Sequence, residues 1–300
     1  MKKLSLLIIT LLVFSALKAQ EMNEPLRIIA IGAHPDDCDS KLGGTAALFA
    51  EVGHEVKFVS LTNGDAGHQS EGGGALAKRR IAEAKAAGEA LGIEYEVLDN
   101  HDAELQPTLK VRHEVIRRIR DWNADIVLCH RTNDYHPDHR NGGLIVQDAA
   151  YLVIVPNVTP DTPPLEKNPV FLYMQDRFQK PYPFQRDIAV IIDKTMDKKA
   201  RALAAHDSQM FEWLPWTRGV DPSTIPSGKA ERLEWLKEDR MKPKDNWSEE
   251  EIAAVTKWYP DVNPKKEVDY VEYFEICEYG RQPSDEGIRS MFPMLGVNNR

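Results

Sequence analysis

The chain has 300 residues, of which 42% are hydrophobic and 28% charged, and its formal net charge is -9. That length suits one large domain or two modest ones and leaves enough chain to bury a core. Its basic residues are scattered among acids, which excludes a nucleic-acid binder, because phosphate contacts need clustered Lys and Arg.

Lys2 and Lys3 precede an apolar run over residues 4–17, and Leu17-Lys18-Ala19 follows. This is the pattern of a secretory signal peptide cut after Ala19, so the mature protein is expected in the periplasm or outside the cell. The run falls short of the roughly 20 apolar residues a bilayer span needs, so no stable membrane span is expected. No Cys follows it to carry a lipid. Cys38, Cys129 and Cys277 are an odd set, which leaves at least one thiol unpaired. Cys38 and Cys129 both fall at or just after expected strand ends, close enough in such a fold to be neighbours.

Residues 27–33 (RIIAIGA) read as a strand. Leu42, Ala46, Phe49 and Val52 recur at a helical period, with Gly53 to close the helix. A strand at 55–61, a glycine-rich loop at 63–74 and a helix at 76–91 follow. Then come a strand at 94–98, a helix at 108–122 and a strand at 125–129. Residues 153–183 are proline-rich and read as a long surface excursion, before a strand at 188–193 and a helix to about residue 209. Strands alternating with helices predict an α/β, Rossmann-like fold, a mainly parallel sheet with helices on both faces. The expected organisation is a signal peptide (1–19), a catalytic domain (20–209) and a C-terminal extension packed on it (210–300). Five of the six Trp lie in the last third and are expected mainly as core residues of the extension.

Two motifs follow strands. Ala33-His34-Pro35-Asp36-Asp37 comes directly after the first, and His136-Pro137-Asp138-His139 comes just after the fourth. In doubly wound sheets ligands sit outside the carboxyl ends of the strands. A catalytic zinc wants three protein ligands with N or O donors and an open position. His34, Asp37 and His139 supply such a set, one metal per chain, although two imidazoles and a carboxylate also suit Fe, Co or Mn. Asp36 is then left beside the metal as a general base, and a protonated His136 is left to stabilise an oxyanion or protonate a leaving amine.

The paired motifs resemble those of the PIG-L (LmbE-like) deacetylases, a family that includes N-acetylglucosaminyl-phosphatidylinositol de-N-acetylases and deacetylases of mycothiol and bacillithiol pathways. The likeness extends over about residues 26–209. It implies removal of an N-acetyl group from an amino sugar or glycoconjugate, with His34, Asp37 and His139 on zinc and Asp36 as the base. His136 would stabilise the tetrahedral intermediate and Asp138 would orient His136. Arg80, in Arg80-Ile81-Ala82-Glu83, and Asp102, in Asp102-Ala103-Glu104-Leu105, resemble sugar contacts, and His206-Asp207-Ser208-Gln209 resembles a further family motif. For Arg80 a solvated helix charge is an equal reading, and for His206 a structural hydrogen bond is favoured. Cys38 stands where the family has Glu. That changes the metal's surroundings, and Cys38 is not expected to be a nucleophile.

Three rivals remain. A Rossmann nucleotide binder needs G-x-G-x-x-G after the first strand, and the turn reads GAHPDDCDSKLGG instead. A zinc amidase acting on a peptide or thiol conjugate would use the same metal chemistry. A non-catalytic carbohydrate binder would stack sugars on its Trp residues but would have no need of Asp36.

Overall fold

A computed structural model of the protein describes residues 24–297. The expected signal peptide lies outside the described residues. No helix among them is long and apolar enough to cross a membrane.

The first half alternates as expected. Strand β1 (Arg27–Gly32) leads to helix α1 (Asp37–Glu51), β2 (Glu55–Thr62) to α2 (Gly73–Leu91), and β3 (Glu94–Asn100) to α3 (Leu109–Asp121). Strand β4 (Ile126–Cys129) runs into α4 (Pro137–Leu152), a helix the periodicity had not brought out. Then come β5 (Val170–Met174), β6 (Ile188–Ile191) and α5 (Met196–Ala205), and a π-helical turn at Ser208–Trp213. The last third contributes α6 (Lys229–Arg240), α7 (Glu249–Trp258), β7 (Val271–Gly280) and α8 (Asp285–Met291).

The sheet order is β3-β2-β1-β4-β5-β7-β6. The first five strands are parallel, and β7 is antiparallel to both β5 and β6. Helices α1, α2 and α5 pack on one another, and α3 packs on α4. Chain order reverses between β1 and β4, so their carboxyl ends open a crevice there.

Two strands escaped the sequence reading. β5 (VFLYM) lies inside the expected surface excursion, where a short, fully buried run has no alternation to reveal it. β7 (VEYFEICEYG) lies in the last third, where no pattern of elements was read, and carries glutamates into the sheet. Its buried glutamates have partners: Glu272 accepts from the amides of Gly44 (3.0 Å) and Thr45 (2.7 Å) and from Lys199 Nζ (2.8 Å). Glu275 accepts from the Gln185 amide at 2.8 Å. Through β7 the last third enters the sheet and is tied to α1. A Cβ on Gly44 would lie 2.6 Å from Ile192 Cδ1, so this approach requires glycine.

The main core packs both sheet faces around residues such as Ile29, Phe58, Val127, Phe171 and Phe274. A second cluster, of Ala200, Leu203, Met210, Phe211, Leu236 and Met241, seats α6 on α5. Each fully buried Leu, Met or Phe side chain contributes about 1.5–3 kcal/mol, which holds α6 on α5. Trp258 is core, as expected, at 1% exposure, whereas Trp216 is 53% exposed and stacks on Trp213. The three cysteines are buried free thiols.

Candidate metal and catalytic site

The first loop is held before it reaches its functional groups. The Ala33 carbonyl accepts from the amide and the hydroxyl of Thr62, both at 2.8 Å. The backbone then turns at Asp36, with φ 120°. A non-glycine residue in this region costs about 1–3 kcal/mol and persists only where its surroundings fix it. Here the Asp36 amide donates to Tyr95 Oη (3.0 Å), and the buried Arg80 holds Asp36 Oδ1 at 3.2 Å and the Pro35 carbonyl. Arg80 crosses Gly64 so closely that a Cβ there would meet its Cδ at 2.7 Å, and Gly64 has φ +70°. Helix α1 starts at Asp37, with Asp37 and Asp39 in the first turn, where negative charge favours the helix. The second loop enters α4 with His136 as N-cap and Pro137 in the first turn.

Donor groups of three residues from these loops converge. His34 Nδ1 lies 3.2 Å from His139 Nε2 and 3.6 Å from Asp37 Oδ2, and His139 Nε2 lies 3.3 Å from Asp37 Oδ1. A tetrahedral ion with bonds near 2.0–2.1 Å separates its ligands by roughly 3.3 Å. Buried His and Asp groups at this point are close enough to hold a divalent metal. His136 also belongs to a possible donor group with His34 and His139, and His130 to one with Asp37 and His139.

Each donor has a partner behind it. His34 Nε2 faces Asp102 Oδ1 (3.0 Å) and Asp138 Oδ2 (3.2 Å), and His139 Nδ1 faces Asp134 Oδ1 (3.0 Å). Asp37 Oδ2 accepts from the amides of Ala33 (3.0 Å) and His34 (2.8 Å) and meets His130 Nε2 at 3.2 Å. The His130 ring stacks on His139, with centroids 4.2 Å apart. Such outer contacts fix ring orientation and donor basicity. Burial alone would lower the pKa of His34, but Asp102, Asp138 and Asp37 outweigh it and hold it well above the usual value. Burial likewise opposes the charge on His139, yet Asp37 and Asp134 push its pKa up to about 9. Burial would raise Asp37, but His139 and His130 hold it well below the usual carboxylate range. The surrounding carboxylates favour positive charge where the donors meet, as a cation site requires.

Asp36 lies beside the donors. Burial raises its pKa, and the Arg80 charge opposes the rise. His136 differs from the sequence expectation. Burial, then the charges of His34 and His139, lower its pKa and favour the neutral ring. Its Nδ1 accepts from the Asp138 amide at 3.2 Å, which leaves Nε2 carrying the proton. It can therefore donate a hydrogen bond without being an imidazolium. Asp138 does not orient His136 with its carboxylate. It accepts instead from the amides of Ala103 (2.7 Å) and Leu105 (3.2 Å) and faces His34.

Asp102 stands behind His34, and Arg80, only 2% exposed, stands behind Asp36. The other motif residues brace the site. Glu83 accepts from the amide (2.9 Å) and hydroxyl (2.6 Å) of Ser208, and Gln209 Nε2 donates to the Gly67 carbonyl at 2.9 Å. His206 is buried 3.2 Å from Asp39, which accepts from Tyr95 Oη at 2.9 Å. Cys38 is buried, and burial followed by Asp37 and Asp39 pushes its thiol well above its ordinary pKa, the opposite of a nucleophile's setting. Sequence reasoning missed His130, Asp134 and Tyr135. His130 directly follows β4, a position that could have flagged it, whereas Tyr135, 71% exposed at the cleft mouth, carried no motif.

A family profile described as PIG-L: GlcNAc-PI de-N-acetylase matches residues 29–150. Diacetylchitobiose deacetylase of Thermococcus kodakarensis is 32% identical over 226 residues, covering 69% of this chain and 83% of that protein. The chain belongs to the PIG-L family. A 4-oxalmesaconate hydratase of Pseudomonas putida is 26% identical over 211 residues, 66% of this chain and 80% of that protein. Among solved structures, N,N'-diacetylchitobiose deacetylase from Pyrococcus horikoshii superposes with a TM-score of 0.60 at 23% identity, covering 85% of this chain and 84% of that one, which shows a shared fold.

Proposed function

We infer that this PIG-L protein is a metal-dependent hydrolase that removes the acetyl group from an N-acetylated amino sugar, with one zinc ion per chain on His34, Asp37 and His139. The observation that carries this reading is the convergence of those three donors with a spare carboxylate, Asp36, beside them. Its sugar preference rests on the likeness to diacetylchitobiose deacetylase. The bound metal supplies Lewis-acid polarisation of the amide carbonyl and makes water more acidic.

The chain's own groups divide the remaining work. Asp36, aimed by Arg80, takes a proton from the attacking water, whose oxygen bonds to the acetyl carbon. The Nε2–H of His136 donates to the developing oxyanion. The C–N bond then breaks, and the proton on Asp36 passes to the leaving nitrogen, giving a free amine and acetate. Asp102 and Asp138 hold the His34 ring, and Asp134 holds that of His139. Lys2, Lys3 and the apolar run support action outside the cytoplasm. A mature N-terminus near Gln20, found by mass spectrometry of protein from its native host, is expected, and an intact Met1 in the cytosol would refute export.

The test is acetate release by metal-loaded protein from N-acetylglucosamine and N,N'-diacetylchitobiose, with N-acetylated peptides for comparison. Acetate from the sugars alone is expected. Acetate from the peptides and not the sugars would favour a general zinc amidase. Folded, metal-loaded protein that releases acetate from nothing would overturn the hydrolase reading.

A further inference from the structure

Helix α4 packs beside strand β7, and a groove runs between them. It consists of two hollows of about 420 and 550 Å³ that share Gln147, Glu278 and Tyr279. Among the described residues, none lines both this groove and the cleft before the metal donors. The buried Arg131 stands between the two. It donates to Asp176 of the cleft at 2.6 Å and to the carbonyl of Tyr182, which lines the groove, at 3.0 Å.

Both sides of the groove expose aromatic rings, and each side has a local cause. On α4, Leu144, Gln147, Asp148 and Tyr151 recur at i, i+3, i+4 and i+7, so they form one stripe, in which Leu144 and Tyr151 are exposed. On β7 the cause is a bulge. β5 advances two residues, from Val170 to Leu172, while β7 spans four, from Gly280 to Ile276. A bulge re-aims side chains, and Glu278 and Tyr279 stand exposed there. Tyr182, exposed in the loop after β5, adds a third ring.

The lining narrows the choice of ligand. Among the described residues, none that lines either hollow is Lys, Arg or His, so a phosphate or carboxylate finds no counter-charge. Amides and carboxylates make the groove too polar for a lipid chain. Of its acids, Asp148 is held by Arg112 at 3.1 Å, and Glu275 lies 3.8 Å from Arg131. Glu278, where the hollows join, has no cationic partner among the described residues. Exposed rings beside an uncommitted carboxylate suit a cation, which is drawn to ring faces and to negative charge alike. Rings beside amide side chains suit a pyranose, whose C–H face stacks while its hydroxyls meet the amides. A sugar with a protonated amine satisfies both, and it is what removal of an acetyl group leaves behind.

We propose that the groove between α4 and β7 is a second carbohydrate site, which binds amino sugars in their free-amine, cationic form. This rests on the de-N-acetylase reading, whose product has that form, and it assigns the groove to deacetylated stretches of a longer chain. Holding such a stretch raises the local concentration of the acetylated units still joined to it.

The test is calorimetric binding of two tetrasaccharides of the same linkage to metal-loaded protein: the tetramer of glucosamine and the tetramer of glucose. The glucosamine tetramer should bind tighter by roughly tenfold or more, the scale of a cation on a ring and a carboxylate together. That preference should shrink with added salt. Glu278→Gln and Tyr279→Ala should each weaken the glucosamine tetramer by about fivefold, and so should Tyr151→Ala on the opposite side. All three variants should release acetate from the single-ring N-acetylglucosamine at the wild-type rate. Equal affinity for the two tetramers would overturn the proposal. So would a preference that all three variants keep, which would put the amine in the metal cleft. A dimer in sedimentation that Tyr279→Ala dissolves would make the groove an interface between copies and overturn it too. Neither tetramer carries an acetyl group, so a failure to release acetate from N-acetylated sugars sinks the deacetylase reading while binding still decides the groove's ligand.

Discussion

The two walls of the cleft are held in different ways. The inner wall comes from loops at the carboxyl ends of β1, β3 and β4, and three of its side chains are gripped by others: His34 by Asp102 and Asp138, His139 by Asp134, Asp37 by two amides and His130. The facing wall comes from the loop after β5, the π-helical turn and the end of α6, and presents Arg177 and Arg240, which have no acidic partner among the described residues. The first arrangement suits chemistry, which needs donors fixed to within fractions of an ångström. The second suits recognition, because side chains free to move can accept a partner.

Variants can break this contrast, beginning on the inner wall. Replacing His34, Asp37 or His139 with Ala should remove bound metal and cut turnover by about a thousandfold or more, since Lewis-acid assistance is worth several kcal/mol. Elemental analysis beside an acetate assay checks both, and full metal occupancy in all three variants would remove the ligand assignment. Asp134→Asn strikes one layer further out. It should weaken metal affinity or activity by roughly 10- to 100-fold, the usual effect of losing an outer partner. A chelator competition experiment measures it, and unchanged affinity would mean that the Asp134 contact does not orient His139.

Arg80→Gln tests the support behind Asp36. The base must be ionised to work, burial raises its pKa, and Arg80 lowers it. Without that charge the Asp36 pKa rises further, so activity is lost at a higher pH as the solution is acidified. The acid limb of the pH–rate profile at saturating metal should therefore move upward, and an unmoved limb would separate Arg80 from the base. Cys38→Ser should change least, keeping most of the turnover. A loss of several orders of magnitude would point to a covalent role for the thiol that its raised pKa speaks against.

The inner wall was largely legible because its donors are local in sequence. His34-x-x-Asp37 is one turn, His136-x-x-His139 is one helix start, and strands of clear period carry both. What remained hidden depends on distance. Asp134 contacts His139 through the fold of its loop, and Asp102 and Asp138, which read as a sugar contact and a His136 partner, both turn toward His34. The protonation of His136 was also beyond local reasoning, since its neighbours and the Asp138 amide decide it. β5 and β7 hid for a related reason: a short buried strand has no alternation, and glutamates that find lysine and backbone amides inside a sheet look like surface residues in one dimension. The facing wall assembles from separate elements, with Arg177 and Arg240 63 positions apart, so its cations read only as scattered charge.

In the mechanism proposed above, Asp36 performs the proton transfer beside a metal it does not itself hold. The most direct measurement is metal content and acetate release, on the same preparation, for Asp36→Asn. The variant should keep about one metal per chain, as a single-site ligand set requires, and lose roughly two to four orders of magnitude in turnover on an N-acetylated amino sugar, the range for a lost general base. Near wild-type turnover in the metal-loaded variant would contradict the account.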